Sequence, residues 1–384
     1  MRTMDPDSVA FETLTVHAGQ EPDELTGAVA PPIYQTSTFR QEAVGKPVRG
    51  YDYARSANPT RERLERAVAL LEGGGHGIAF ASGSAATAAI AELALPGDEV
   101  IAGDDLYGGT FRYLTRVAGP RGVATHYVDL ASGSDALWEA MSDSTALVWF
   151  ETPSNPHLRT VDIAAMAEVI GKRAAEGGRR PLLVVDNTFA TPAIQRPLTL
   201  GADIVFHSAT KYLAGHSDTI GGIAVTARDD LAERLRFLQN AMGAVPGPFD
   251  CFLTLRGLRT LSLRMERHSA NGAAVASFLA SRSDVGWTAY PGFGGMVSFV
   301  PASGGRHGRT AAERAVAIAE ATGIFILAES LGGVESLIEV PAAMTHGSVA
   351  GTQLEVDSAL IRLSVGIEAA ADLVADLAQA LDQA

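Results

Sequence analysis

Six short apolar runs punctuate the chain, each followed at once by small polar residues and then by a stretch of helical length. They are GIAF (77–80), EVIAG (99–103), ALVWF (146–150), LLVVD (182–186), DIVFH (203–207) and GGIAVTA (221–227). Runs without polar alternation predict strands buried on both faces. Amphipathic stretches between them, such as TVDIAAMAEVIGKRAAEG, predict covering helices, so the pattern reads as a mostly parallel α/β sheet with right-handed crossovers. Residues 1–50 are punctuated by Pro and Gly (TGAVAPPIYQTSTF) and read as an extended N-terminal arm, and 51–245 as the α/β domain. After GAVPGPFD (243–250) one long helical pattern runs from about Cys251 to Arg282. Strand candidates GGMVSFV and LIRLSVGIE and a final helix, AAADLVADLAQALDQA, follow, predicting a smaller α+β domain over 246–384.

Composition narrows the partners. Thirty basic against 44 acidic residues give a formal charge of −14 with no basic run, which argues against nucleic acid or an anionic membrane surface. A single cysteine, Cys251, excludes an intramolecular disulfide framework, and the opening MRTMDPDSVAFETL has neither a charged nor an apolar export region. A cytoplasmic location is expected. The stretch nearest to a membrane span, 77–95, is mostly Ala, Gly and Ser with Glu92 inside it, and reads as a buried strand and helix.

In open α/β sheets ligands sit beyond the carboxyl ends of the strands. The polar residues that follow the runs are Ser82, Gly83 and Ser84; Tyr107, Gly108 and Gly109; Asn155; Asp186; and Ser208, Thr210 and Lys211. Lys211 is one of only three lysines, and the other two, Lys46 and Lys172, fall in solvated contexts. An amine held there suits Schiff-base chemistry, and an aspartate at Asp186 suits a pyridinium nitrogen. SGSAAT offers a helix N-terminus and two hydroxyls to a phosphate, and Tyr107 a flat surface to a ring. These are the parts of a pyridoxal phosphate site, although each alone has an ordinary reading as a cap, a turn or a surface charge. Ser208-Ala-Thr-Lys211 also fits the S-x-x-K signature of penicillin-binding proteins, but the accompanying K-T-G is absent from the chain. His207, His216 and His268 lack ligand-like spacing, so no metal is expected. A non-catalytic binding protein on the same fold is disfavoured by the intact set of reactive groups.

Motifs along nearly the whole chain add a resemblance. TGAVAPPIYQTSTF, YARSANPTR, LYGGTFR, ETPSNP, VVDNTFATP, HSATKYLAGHSD, GPFDCFLTLRGLRTL and LAESLGGVESLIEVPAAMTH resemble the Cys/Met-metabolism family of pyridoxal-phosphate enzymes of trans-sulfuration. That resemblance implies the aminotransferase-like fold type I, with pyridoxal 5'-phosphate bound covalently by Lys211. Asp186 would pair with the ring nitrogen, Tyr107 would stack on the ring and act in proton transfer, and Ser82, Gly83, Ser84, Ser208 and Thr210 would hold the phosphate. Tyr53 and Arg55 would reach the cofactor of a neighbouring subunit, implying a dimer doubled to a homotetramer. Arg362, with Asn155 and the backbone near Ser330, would grip the substrate carboxylate, and Asp52 and Glu329 match acidic positions of cystathionine-handling members. The expected activity is a γ-lyase cleaving the Cγ–S bond of cystathionine, or of methionine or homocysteine, to 2-oxobutanoate, ammonia and a thiol. The alternatives are cystathionine γ-synthase and methionine γ-lyase, the latter weakened by Gly109 where such lyases usually carry cysteine. AYPGFGGMVSF lacks a helical excursion that relatives carry.

Overall fold

The structure is a computed structural model describing residues 8–305 and 308–384; the first seven residues of the expected arm lie outside it. The chain forms two compact units interleaved in sequence, one of residues up to Leu93 with Thr191–Ser262, the other of Ala94–Ala190 with Leu263–Ala384. All six apolar runs are strands: His76–Phe80, Glu99–Gly103, Thr145–Glu151, Leu182–Asp186, Ile204–Ser208 and Gly222–Thr226.

In the first unit His76–Phe80 and Ile204–Ser208 both pair antiparallel with Gly222–Thr226. The helix Pro59–Glu72 lies against this ladder so closely that a Cβ on Gly77 would meet the Glu65 carbonyl oxygen at 2.1 Å. Its start is fixed by Asn58, whose side chain accepts from the N–H groups of Thr60 and Arg61, with Pro59 in the first turn. Its last residue, Glu72, meets His207 of the strand at 2.6 Å, both side chains fully buried. The expected arm is not wholly extended, since Phe11–His17 is a short helix.

In the second unit the strands Leu182–Asp186, Thr145–Glu151, Glu99–Gly103 and Ala124–Val128 lie side by side and parallel in that order. The last of these escapes the sequence pattern because ATHYV is half exposed rather than continuously apolar. A second sheet runs Val285–Ala289, Met296–Pro301, Ile361–Ser364, Leu337–Glu339, Ile326–Leu327, antiparallel except for its last pair. Helices Ala311–Ala321 and Ala370–Gln383 share a core with it around Phe299, Phe325, Ile361 and Leu377. The expected single helix from Cys251 to Arg282 is two, Pro248–Leu258 and Leu261–Ser281, and Leu255 and Leu261 are buried on either side of the break. The short AYPGFGG connection packs on the second of these: a Cβ at Gly272 would meet the Gly294 carbonyl oxygen at 2.4 Å, and Gly294 N–H donates to the Ser269 hydroxyl at 2.9 Å.

Removing one partner of a buried hydrogen-bonded pair leaves the other unsatisfied away from solvent. Glu72→Ala is therefore expected to cost about 1–3 kcal/mol, read as a lower urea midpoint in equilibrium unfolding. A midpoint within experimental error of the parent would show that His207 finds another partner.

Candidate active site

In the first unit the Lys211 turn is built by close backbone approach. Lys211 N–H donates to the Ser208 carbonyl at 3.2 Å, and Gly215 N–H to the Lys211 carbonyl at 2.8 Å. Thr210 exchanges bonds with Gly221, its N–H and hydroxyl each 3.3 Å from the Gly221 carbonyl and its hydroxyl accepting from Gly221 N–H at 3.0 Å. Behind the turn, Tyr212, Leu213 and Ala214 are buried, and helix Pro248–Leu258 comes close enough that a Cβ on Gly257 would sit 2.1 Å from the Ala214 carbonyl oxygen. Beside it the SGS loop opens the helix Gly83–Ala91, with Ser82 capping by accepting from Ala85 N–H at 3.1 Å. A Cβ on Gly83 would press on Ser208 at 3.0 Å, and one on Gly222 would strike the Ser82 carbonyl at 2.2 Å. Ser82, Gly83, Ser208, Thr210 and Lys211 thus form one compact polar cradle; Ser84 is exposed at its edge.

The YARSANPTR motif presents Tyr53 and Arg55 outward. Arg61 folds beneath it, donating to the carbonyls of Ala54 at 2.6 Å, Ser56 at 2.9 Å and Arg55 at 3.3 Å. Asn58 donates to the Tyr34 carbonyl at 3.0 Å, which ties the preceding arm to the helix start. Tyr53 is 46 % exposed, and the Arg55 guanidinium lies 5.8 Å from its ring centre while donating to the Asn240 carbonyl at 3.0 Å. Asp52 is also exposed, accepting from Tyr53 N–H at 2.6 Å.

In the second unit Tyr107, Asn155, Asp186, Ser330 and Arg362 occupy a second constellation. The Tyr107 ring lies over Gly109, where a Cβ would meet it at 2.3 Å, so a larger residue there displaces the ring. Asp186 ends its strand and accepts from Thr188 N–H at 2.9 Å. Arg362 is buried at the centre of the second sheet, not on the solvent side of an edge. It donates to the Asn155 side-chain oxygen and to the Ser330 carbonyl, both at 2.9 Å, and meets Glu339 at 3.1 Å. Ser330 has φ +93°, a left-handed strain that turns its carbonyl toward the guanidinium. Glu329, next to it, is exposed.

A sequence profile described as "Cys/Met metabolism PLP-dependent enzyme" matches residues 12–382. The chain belongs to that family. It is 52% identical over 386 residues to a cystathionine gamma-synthase of Mycobacterium tuberculosis, covering 96% of each chain. It is 46% identical over 397 residues to a cystathionine gamma-lyase of Dictyostelium discoideum, covering 98% of this chain and 99% of the other. Among solved structures, metB from Corynebacterium glutamicum superposes with a TM-score of 0.94 at 44% identity, covering 99% of this chain and 100% of that one. The protein is thus a pyridoxal-phosphate-dependent enzyme of sulfur amino-acid metabolism with the α/β fold of its relatives.

Several residues of the second constellation escape the sequence reading. Glu339 pairs with Arg362, and Glu151 accepts from Tyr107 N–H at 2.7 Å. Asp105 receives the Ser154 hydroxyl and lies 2.8 Å from His157, bracing the loop that carries Asn155. Burial pushes the Asp105 carboxyl up, but His157, Ser154 and Arg159 together hold it below its ordinary value. The available signal is that ALVWF ends in Glu151 just as LLVV ends in Asp186.

His346 is buried, and burial with the nearby Arg362 charge pushes its imidazole down to about 4; burial, helped by the Arg264 charge, does the same to His268. Both are neutral in the folded protein and take up a proton near pH 6.5 once unfolded, so this contribution is present above pH 6.5 and is lost as pH falls toward 4. Thermal melts of the apoprotein are expected to show Tm falling between pH 7 and pH 5, with a shallower fall in His346→Asn. Parallel slopes for the two proteins would assign the acid sensitivity elsewhere.

Proposed function

We propose that the enzyme works at the γ-carbon of homoserine-derived amino acids and forms cystathionine by γ-replacement, cysteine displacing the acyloxy group of an O-acyl-homoserine. The Lys211 cradle supports the cofactor assignment most directly, because its glycines leave no room for side chains where a phosphate needs backbone and hydroxyl donors. On this reading Lys211 binds pyridoxal 5'-phosphate covalently, and Ser82, Gly83, Ser84, Ser208 and Thr210 serve the phosphate. Asp186 holds the ring nitrogen protonated, and Tyr107 covers the ring. Arg362, with Asn155 and the Ser330 carbonyl, orients the substrate α-carboxylate as a charge-assisted pair. The higher identity to a γ-synthase, 52% against 46% to a γ-lyase, favours replacement over elimination.

When bound, the cofactor supplies an electron sink conjugated to the α-carbon. The Lys211 amine would take the α-proton and later return a proton to carbon. The Tyr107 hydroxyl would move the proton at the γ-substituent. In replacement the Cγ–O bond breaks, the acyl carboxylate leaves, and the cysteine thiol forms Cγ–S with loss of its proton. In elimination the Cγ–S bond of cystathionine breaks, cysteine leaves, and water releases 2-oxobutanoate and ammonia. Asp52 and Glu329 would attract the distal ammonium of cystathionine, or of the incoming cysteine. The γ-lyase, the activity expected first from the sequence, ranks second on this reading and is supported by the relative from Dictyostelium.

Lys211→Ala is expected to lose the visible cofactor band and all turnover. The parent enzyme, given O-acyl-homoserine with cysteine and, separately, cystathionine, is expected to make cystathionine faster than 2-oxobutanoate. Faster ketoacid release would install the lyase, and a parent that gains no band with added pyridoxal phosphate would end the cofactor assignment.

Sharing of Tyr53 and Arg55 between subunits gives a second test. Arg55→Ala and Lys211→Ala, each nearly inactive, are expected to regain about a quarter of parental activity when subunits are mixed, because one site of each mixed pair is then intact. Mixed oligomers with no gain, or an active monomer in sedimentation, would place Arg55 in its own subunit's site.

A further inference from the structure

Three acids stand at the carboxyl ends of adjacent parallel strands in the second unit: Asp105, two residues beyond Glu99–Gly103, Glu151 and Asp186. Their surroundings differ. Asp105 has cations and donors, with His157 at 2.8 Å, the Ser154 hydroxyl, His157 N–H at 3.2 Å and Arg159 Nε at 3.8 Å. Asp186 pairs in register with Glu151 and accepts from Thr188 N–H. Glu151, 6 % exposed, sits between the other two strands' acids. Among the described residues it takes one hydrogen bond, from Tyr107 N–H to Oε1 at 2.7 Å, and has no cation at ion-pair distance. Arg362 acts on it only at longer range, being engaged by Glu339 and Asn155.

We infer that Glu151 is a positioning residue present as the uncharged acid, its Oε1 holding the Tyr107 turn while Asp186 is left as the charged member of the strand-end pair. A buried carboxylate needs several donors or a cation, and Glu151 has a single backbone amide. Burial first, then the charges of Asp186 and Asp105, push its carboxyl well above the ordinary value, against the Tyr107 amide and Arg362. The coupling is mutual: a charged Glu151 would raise the Asp186 carboxyl in turn and weaken its hold on a ring nitrogen. One neutral acid thereby does two things. Its carbonyl oxygen still accepts from Tyr107, and its missing charge preserves that of Asp186.

The inference about charge stands in the apoprotein, whereas its consequence for the cofactor rests on the proposed function. Infrared difference spectra of apoprotein, parent minus Glu151→Gln, are expected to show a protonated carboxyl band at pH 7 that persists at pH 8. Because the folded acid binds a proton that the unfolded one releases, stability of the parent relative to Glu151→Gln is expected to fall as pH rises from 5 to 8. In the holoenzyme, Glu151→Gln keeps the acceptor and the neutrality, and is expected to hold kcat/KM within about threefold with an unchanged cofactor band. Glu151→Ala loses the acceptor and is expected to lose about tenfold or more, mostly in kcat. Carboxylate bands alone at pH 7, or a Gln variant as impaired as the Ala variant, would overturn the inference. Should Glu151→Gln not fold, 13C-glutamate apoprotein compared with Glu151→Asp carries the same infrared test, since the labelled protonated band must vanish. A failed Lys211 test with these bands present would remove the cofactor assignment and leave the neutral acid.

Discussion

A lysine that is to exchange a covalent partner has to stand on backbone that does not move, and in this chain immobility comes from backbone packed on backbone. Three glycines make that possible around Lys211. Gly222 lets its strand touch the Ser82 carbonyl, Gly83 lets the SGS loop rest on Ser208, and Gly257 lets a helix press on the Ala214 carbonyl. Any side chain at these points would hold the elements apart by more than the margin a hydrogen bond tolerates. The turn itself is closed by the exchange between Thr210 and Gly221. Thr210 therefore spends its hydroxyl partly on structure, as Ser82 does in capping its helix. The residues proposed to serve chemistry are also those that hold the turn.

The second constellation is rigid for a different reason, which is register. Ser298, Arg362 and Glu339 are cross-strand partners in one row over three strands, so their side chains fall on one face at neighbouring distance. Arg362 meets Glu339 within the row and reaches Asn155, while the Ser298 hydroxyl donates to the Pro156 carbonyl at 2.7 Å. One row of a sheet thus clamps the Asn155–Pro156 loop at two successive residues. A shift of one residue in any of these strands would turn the row to the other face and release the loop. Glu339 also compensates the buried guanidinium, which lowers the cost of burying a cation.

How much of this was legible in the sequence follows from the reach of each signal. The six buried strands announce themselves because burial on both faces leaves an unbroken apolar run, and the strand-end residues Asp186, Ser208 and Lys211 follow from them. ATHYV was invisible because one half-exposed strand at the edge of a ladder has no such run. The helix break between Leu258 and Leu261 was missed because apolar periodicity continues across it. The central place of Arg362 is not legible from LIRLSV, and only the sheet order shows that strand flanked on both sides. Glu151, Glu339 and His346 went unread because a buried acid or imidazole is identified by what surrounds it, and those partners lie far apart in sequence. The motifs that signalled the family are mostly the structural ones: in YARSANPTR, Asn58 and Arg61 build the loop that displays Tyr53 and Arg55.

Identity to both a γ-synthase and a γ-lyase is what the proposed chemistry leads one to expect. Both directions share α-proton removal by Lys211, carboxylate binding by Arg362 and loss of a γ-substituent. They also share the distal subsite, because a site that accepts the cysteine half of cystathionine as a leaving group must accept cysteine as the incoming thiol. Asp52 and Glu329, proposed for that half, would therefore separate cystathionine from methionine without choosing a direction. The choice lies in partitioning once the γ-substituent has left, between a bound thiol and the water that leads on to ketoacid. Partitioning of that kind is governed by how long cysteine stays and how well water is kept out, properties of packing around the site more than of the groups that touch the substrate. Relatives as similar to this chain as the γ-synthase and the γ-lyase can then differ in net reaction while sharing these early steps.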